Sequence, residues 1–217
     1  MLSGVIDVDI RKDAKELGEV FRMLSKTEEG RSALLELSKI RENGMEMLRH
    51  EDLLKTVIKI EEGPLECTFT LAHCLVLSGY EDVRLALSKM PANILELKTG
   101  DGDKVVELLI GCGSKVREAL AENVDALKIT CLDLLSDSGQ MKVFGFKFGA
   151  IDPAMAKSVK GNSVAHLLLG GNPSDTVIRK IAVAPKEVLE LVNGRGESVE
   201  YLLKEKIGLL YKSKSFN

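Results

Sequence analysis

Internal repetition constrains this chain more than any other feature. Pro185, Leu189-Glu190-Leu191, Gly194, Gly196, Val199 and Leu202-Leu203 fall at the same offsets as Pro91, Leu95-Glu96-Leu97, Gly100, Gly102, Val105 and Leu108-Leu109. A third, shorter copy is read from Ile151-Asp152-Pro153 to Ser163-Val164-Ala165-His166-Leu167-Leu168. Self-similarity at this spacing points to stacked supersecondary units, each too small to bury its own apolar face. The expectation is an all-α fold: an α-solenoid, a right-handed stack of short helical hairpins. An atypical helical N-terminal cap over residues 1–63 precedes the repeat array of residues 64–217, the two forming one continuous domain.

The punctuation fits helices. Proline after each second helix stops it and is tolerated at the start of the next. The Gly-x-Gly pairs supply turn conformations that a side chain opposes. Helices are expected over residues 9–25, 25–41 and 45–62, with Ser25-Lys26-Thr27-Glu28 as a capping box and Asn43-Gly44 as a break. Further helices are expected over residues 68–78, 80–89, 92–97, 104–110, 114–122, 126–136, 164–169, 175–182, 186–192 and 199–206. Between residues 139 and 149 the pattern degrades. Phe144, Phe146 and Phe148 alternate with Gly145 and Lys147, a two-residue period suited to extended chain.

Composition narrows the function classes. Apolar residues make up 45% and aromatics only 4%, so Leu, Val, Ile and Ala must fill the core. A net charge of −3 argues against general polyanion binding. No apolar run is long enough to span a bilayer, so no membrane partner is expected. Cys67, Cys74, Cys112 and Cys131 lack metal-ligand or disulfide spacing and read as reduced packing residues in a cytoplasmic protein. Gln occurs once, at Gln140, beside abundant Lys and Glu, a bias of thermophilic proteins. No cofactor, metal site or catalytic constellation is expected. His73 and His166 share one repeat position, so their expected role is a turn hydrogen bond between neighbouring layers. His50 reads as a solvated helix-face residue. Gly100-Asp101-Gly102-Asp103 and Gly194-Arg195-Gly196-Glu197 read as turns, lacking the ending of a phosphate loop and the ligand count of a calcium loop.

Two resemblances follow from these motifs. Thr68-Phe69-Thr70-Leu71-Ala72-His73 and Gly161-Asn162-Ser163-Val164-Ala165-His166 resemble the opening of ankyrin repeats, in which hydroxyl and histidine are structural. Asp82-Val83-Arg84-Leu85-Ala86-Leu87 and Lys115-Val116-Arg117-Glu118-Ala119-Leu120 resemble leucine-rich-repeat-variant and HEAT-like helices, with Val177-Ile178-Arg179 a looser third. Both resemblances imply a non-enzymatic scaffold that binds another protein. The alternative is a nucleic-acid-binding helical repeat, or a repair enzyme, using recurring arginines.

The candidate binding residues are Phe144, Phe146 and Phe148 with Lys142 and Lys147, and the arginines Arg84, Arg117 and Arg179 on second helices. The phenylalanines read either as a partner anchor, which includes a route to a homo-oligomer, or as a plug in an irregular repeat. The arginines read either as a basic stripe or as bridges to neighbouring carboxylates.

Overall fold

The computed structural model describes residues 14–62, 65–131, 161–170 and 172–214. Predominantly helical, it opens with α1 (Ala14–Leu24), α2 (Glu28–Ser38), α3 (Arg41–Met47) and α4 (Glu51–Leu54). A hairpin of β1 (Val57–Glu62) and β2 (Leu65–Thr70) follows. Three triplets of short helices then succeed one another. They are α5 (Leu71–Leu77), α6 (Glu81–Leu87) and α7 (Ala92–Leu95); α8 (Val105–Ile110), α9 (Ser114–Leu120) and α10 (Val124–Lys128); and α11 (Val164–Gly170), α12 (Asp175–Ala182) and α13 (Lys186–Leu189). The last helix is α14 (Val199–Lys214).

Contacts arrange these elements in rows. Helices α2, α5, α8, α11 and α14 pack successively, as do α3, α6, α9 and α12, and as do α7, α10 and α13. In the first row, residues 71–76, 105–110 and 164–169 are all buried. A helix that is apolar all round belongs inside. One hydrophobic cluster runs from Phe21 to Leu203 and joins the N-terminal helices to the triplets.

The join between successive triplets is the same each time. The first residue of α5, α8, α11 and α14 donates its N–H to the last carbonyl of the preceding segment. The bonds are Leu71 to Thr56 (2.9 Å), Val105 to Leu97 (3.1 Å), Val164 to Ile129 (2.9 Å) and Val199 to Leu191 (3.0 Å). The flanking residues bridge as Val57 with Thr70, Lys98 with Lys104, Thr130 with Ser163 and Val192 with Ser198. What differs is the excursion between them. It is a hairpin first, a tight turn second and fourth, and a long insertion over residues 131–162 third.

Several expectations change here. The helix expected over residues 45–62 instead comprises the end of α3, then α4, then strand β1. Ile58, 1% exposed, pairs with Phe69, 3% exposed, while Val57 is half exposed. Asn43 and Gly44 do not break a helix; both lie buried inside α3. A Cβ on Gly44 would stand 3.3 Å from Leu75 Cδ2 and 3.5 Å from Val83 Cγ2. Close packing of α3 on the next triplet therefore outweighs glycine's poor helix propensity. The cap of α2 is Thr27, whose Oγ1 accepts the Gly30 N–H at 3.1 Å, while Ser25 turns back to the Arg22 carbonyl. In the second triplet the counterpart of Pro91 and Pro185 is Asn123, which caps α10. Pro153 lies outside the described residues, as do Lys142, Phe144, Phe146, Lys147 and Phe148.

Candidate interaction surface

The chemically versatile side chains of the repeat serve the stack itself. Thr70 caps α5, and its N–H (3.3 Å) and hydroxyl (2.7 Å) both meet His73 Nδ1. An Nδ1 that accepts the backbone N–H leaves the ring proton on Nε2, which donates to the Asp103 carbonyl of the next turn at 3.1 Å. Ser163 and His166 repeat the arrangement. The Ser163 N–H and hydroxyl lie 3.2 and 2.8 Å from Nδ1, and Nε2 lies 3.1 Å from the Glu197 carbonyl. Each histidine thus ties one unit to its neighbour. Burial holds His73 down to about 4, against the partial compensation of its bond to Asp103. Burial lowers His166 in the same direction, opposed by the Glu197 carbonyl and carboxylate.

The middle unit solves the same position with ions. Lys104 N–H donates to Glu107 Oε2 at 2.6 Å, and Lys104 Nζ donates to the Thr130 carbonyl at 2.6 Å. At the last unit the position holds Tyr201, which is half exposed.

His50 is not solvated. Its Nδ1 accepts from Arg22 Nη2 at 3.2 Å, and the ring packs where Gly18 would carry a Cβ. The tight turns behave as turns, with Gly102 and Gly196 at φ of 96° and 78°. They also touch the preceding loops: Gly100 N–H donates to the Thr68 carbonyl at 2.8 Å, and Asn193 Nδ2 donates to Asn162 Oδ1 at 3.1 Å. Among the described residues, no group of His, Cys, Asp and Glu is placed to hold a metal ion. Cys74, Cys112 and Cys131 are free and buried, and burial pushes the Cys74 thiol up to about 12.

The arginines divide. The first i to i−4 bonds of the second helices run from Arg84 to Tyr80, Arg117 to Gly113 and Ile178 to Ser174. Arg84 and Arg117 therefore occupy one position, whereas Arg179 comes one residue later, roughly 100° around the helix. The sequence match of Val-Ile-Arg to Val-Arg is out of register. Arg84 Nε donates to the Val76 carbonyl and Arg117 Nε to the Ile110 carbonyl, both at 2.8 Å. These are last-turn carbonyls of α5 and α8, unsatisfied within the helix and at its negative end. Arg179 is exposed.

The row's carboxylates are engaged elsewhere. Arg41 pairs with Asp82 (2.6 Å), Lys115 with Glu81 (3.1 Å) and Lys180 with Glu122 (2.8 Å). Ser174 donates to Glu118 at 3.1 Å. Among the described residues none forms an ion pair with Arg84, Arg117 or Arg179. Both helix-capping arginines lie near Cys112: burial raises its thiol pKa, and the charges of Arg84 and Arg117 pull it part of the way back.

Partly exposed are the second row of helices, α3, α6, α9 and α12, here the outer row with Arg84 and Arg117, and the loop edge with its tight turns. Of the described helices, none is long and apolar enough to cross a membrane. No protein-family model, curated protein or solved structure matches the chain.

Proposed function

We propose that this chain is a non-enzymatic helical-repeat scaffold, an α-solenoid in a cytoplasmic setting, that binds another protein through its outer row and loop edge. One observation carries the reading. The first-row helices α5, α8 and α11 are buried over residues 71–76, 105–110 and 164–169 and the repeated hydroxyl–histidine pairs hold unit to unit, so the repeat's chemistry is structural and its exposed periodic surface is what remains for recognition. The hydroxyl–histidine pair supports the ankyrin-like resemblance. The short third helix behind Pro91 and Pro185 supports the leucine-rich-repeat-variant one. Buried free thiols suit a reducing compartment.

The insertion over residues 131–162 joins the loop edge through Cys131 N–H to the Asn162 carbonyl at 2.8 Å. Its sequence chemistry, Phe144, Phe146 and Phe148 beside Lys142 and Lys147, adds an aromatic anchor of the kind that dominates interface energetics.

The test is site-specific photo-crosslinking in the native cell, with the probe placed at Asp101, Lys115 or Arg195. A saturable adduct with one protein, at some positions and not others, is the expected result; diffuse labelling from all three would overturn the reading. A nucleic-acid-binding reading is favoured only by the guanidinium groups that lack carboxylate partners. It predicts salt-dependent retention on duplex DNA, and no retention at low salt would end it.

A further inference from the structure

Arg84 and Arg117 differ from the other basic groups of the outer row. Arg41 and Lys115 each pair with a carboxylate on the adjoining helix, and Lys180 with Glu122 just past the end of α9. Arg84 and Arg117 are instead fixed through Nε by a backbone carbonyl, which orients the guanidinium without cancelling its charge. A carbonyl bond to Nε leaves the two terminal nitrogens as a preset fork, the geometry that receives a carboxylate or phosphate bidentately. Their helices α6 and α9 pack directly, with axes about 8–10 Å apart, and the two arginines hold equivalent positions on them. Both are partly exposed, and the ordering that an arginine usually undergoes on binding has already been met by the fold.

We propose that Arg84 and Arg117 form a paired oxyanion site that docks an acidic segment of a protein partner, with one carboxylate or phosphate at each fork. This rests on the partner-binding reading above and adds the partner's chemistry to it. A single anion at one arginine would be weak in water. Two forks at a fixed spacing select a ligand whose anions recur at that spacing, which gives discrimination as well as attraction. Arg179, one residue out of register, is excluded from the pair.

The experiment follows the arginine side-chain nitrogen signals of the intact wild-type chain by NMR. The probes are a polyglutamate peptide, a phosphoserine-rich peptide and a short DNA duplex. Signals of Arg84 and Arg117 are expected to move together and saturate with one or both peptides at or below about 1 mM, while Arg179 stays still. The peptide that saturates first identifies carboxylate or phosphate as the source. Raising salt to about 0.5 M should weaken the effect, as expected for screened surface charge. Arg84→Gln and Arg117→Gln should each weaken binding about tenfold, and Arg179→Gln should leave it unchanged.

Stationary Arg84 and Arg117 signals with both peptides would overturn the proposal, as would equal weakening by Arg179→Gln. Movement with DNA alone would overturn it in favour of nucleic acid. The wild-type titration needs no substitution, so loss of a helix cap in the variants does not decide it. A photo-crosslinked partner indifferent to Arg84→Gln would sink this inference while leaving the scaffold reading intact.

Discussion

At the scale of single residues, His73 shows how a titratable group can be placed for structure. Its Nδ1 accepts the Thr70 N–H, so the ring must be neutral to make both of its bonds. The folded chain holds its pKa down to about 4, below the ordinary 6.5. Between those values the unfolded chain binds a proton that the folded chain refuses, so stability falls as pH drops from about 6.5 to about 4. The shift corresponds to about 3 kcal/mol in total. Urea denaturation at a series of pH values should show this loss, and His73→Gln should flatten the slope over that window. His166 acts in the same direction. The surface carboxylates Asp52, Asp82 and Glu122, lowered by Arg22, Arg41 and Lys180 respectively, add losses only at lower pH.

The arginines make a second prediction at this scale. Truncating Arg117 to Ala leaves the Ile110 carbonyl without its donor and should cost about 1–3 kcal/mol. Arg179→Ala, at an exposed site, should stay within about 0.5 kcal/mol. Equal costs in chemical denaturation would contradict the register described above. Nothing in the sequence separates the two, because Val-Arg and Val-Ile-Arg look like variants of one motif. Register is set by where each helix is capped, and Ser174 caps α12 through the Val177 N–H.

At the scale of elements, hydrophobic spacing and punctuation located most of the short helices, and the failures have specific causes. Leu53, Leu54, Val57 and Ile58 fit one face of a helix as well as they fit α4 followed by a strand. Only the pairing of Ile58 with Phe69 decides for the strand, and that partner lies beyond a Gly-Pro turn signal. Gly44 illustrates the opposite override. Read locally it is a breaker, yet α3 runs through it because α3 meets Leu75 and Val83 there. Gly44→Leu should therefore destabilise by about 1–3 kcal/mol through overpacking, despite leucine's better helix propensity. Thermal unfolding that matches or exceeds wild type would show that α3 and the next triplet are not so closely packed.

At the scale of the whole molecule, the insertion is the feature that repetition alone misplaced. Residues 99–103 and 193–197 make five-residue turns between their bridging pairs, while 32 residues, 131–162, separate Thr130 from Ser163 in the sequence. Cys131, Gly161 and Asn162 occupy the first and last two positions of that turn. Gly161 shares the positive φ of Gly102 and Gly196, at 79°. Replacing residues 132–160 with Gly-Asp should then leave α8 stacked on α11. The shortened chain should unfold cooperatively with a melting temperature within about 5 °C of wild type, a shift of order 1 kcal/mol. Broad or multiphasic melting would mean that the insertion belongs to the core. If the melting temperature holds and crosslinking to the partner is lost, the insertion belongs to the interface.

The sequence alone determined that short helical modules recur, which residues line the buried faces of the triplets' first helices, and that the paired histidines serve the modules. Those conclusions need only local spacing and identity at repeated offsets. Tertiary structure decided what local pattern leaves degenerate: strand against helix at Val57, continuation against break at Gly44, and the one-residue register that separates Arg179 from Arg84 and Arg117. At Val57 and Gly44 the deciding partner lies in another element, and a contact across the fold outweighs a preference within it; the register of Arg179 follows from where Ser174 caps α12.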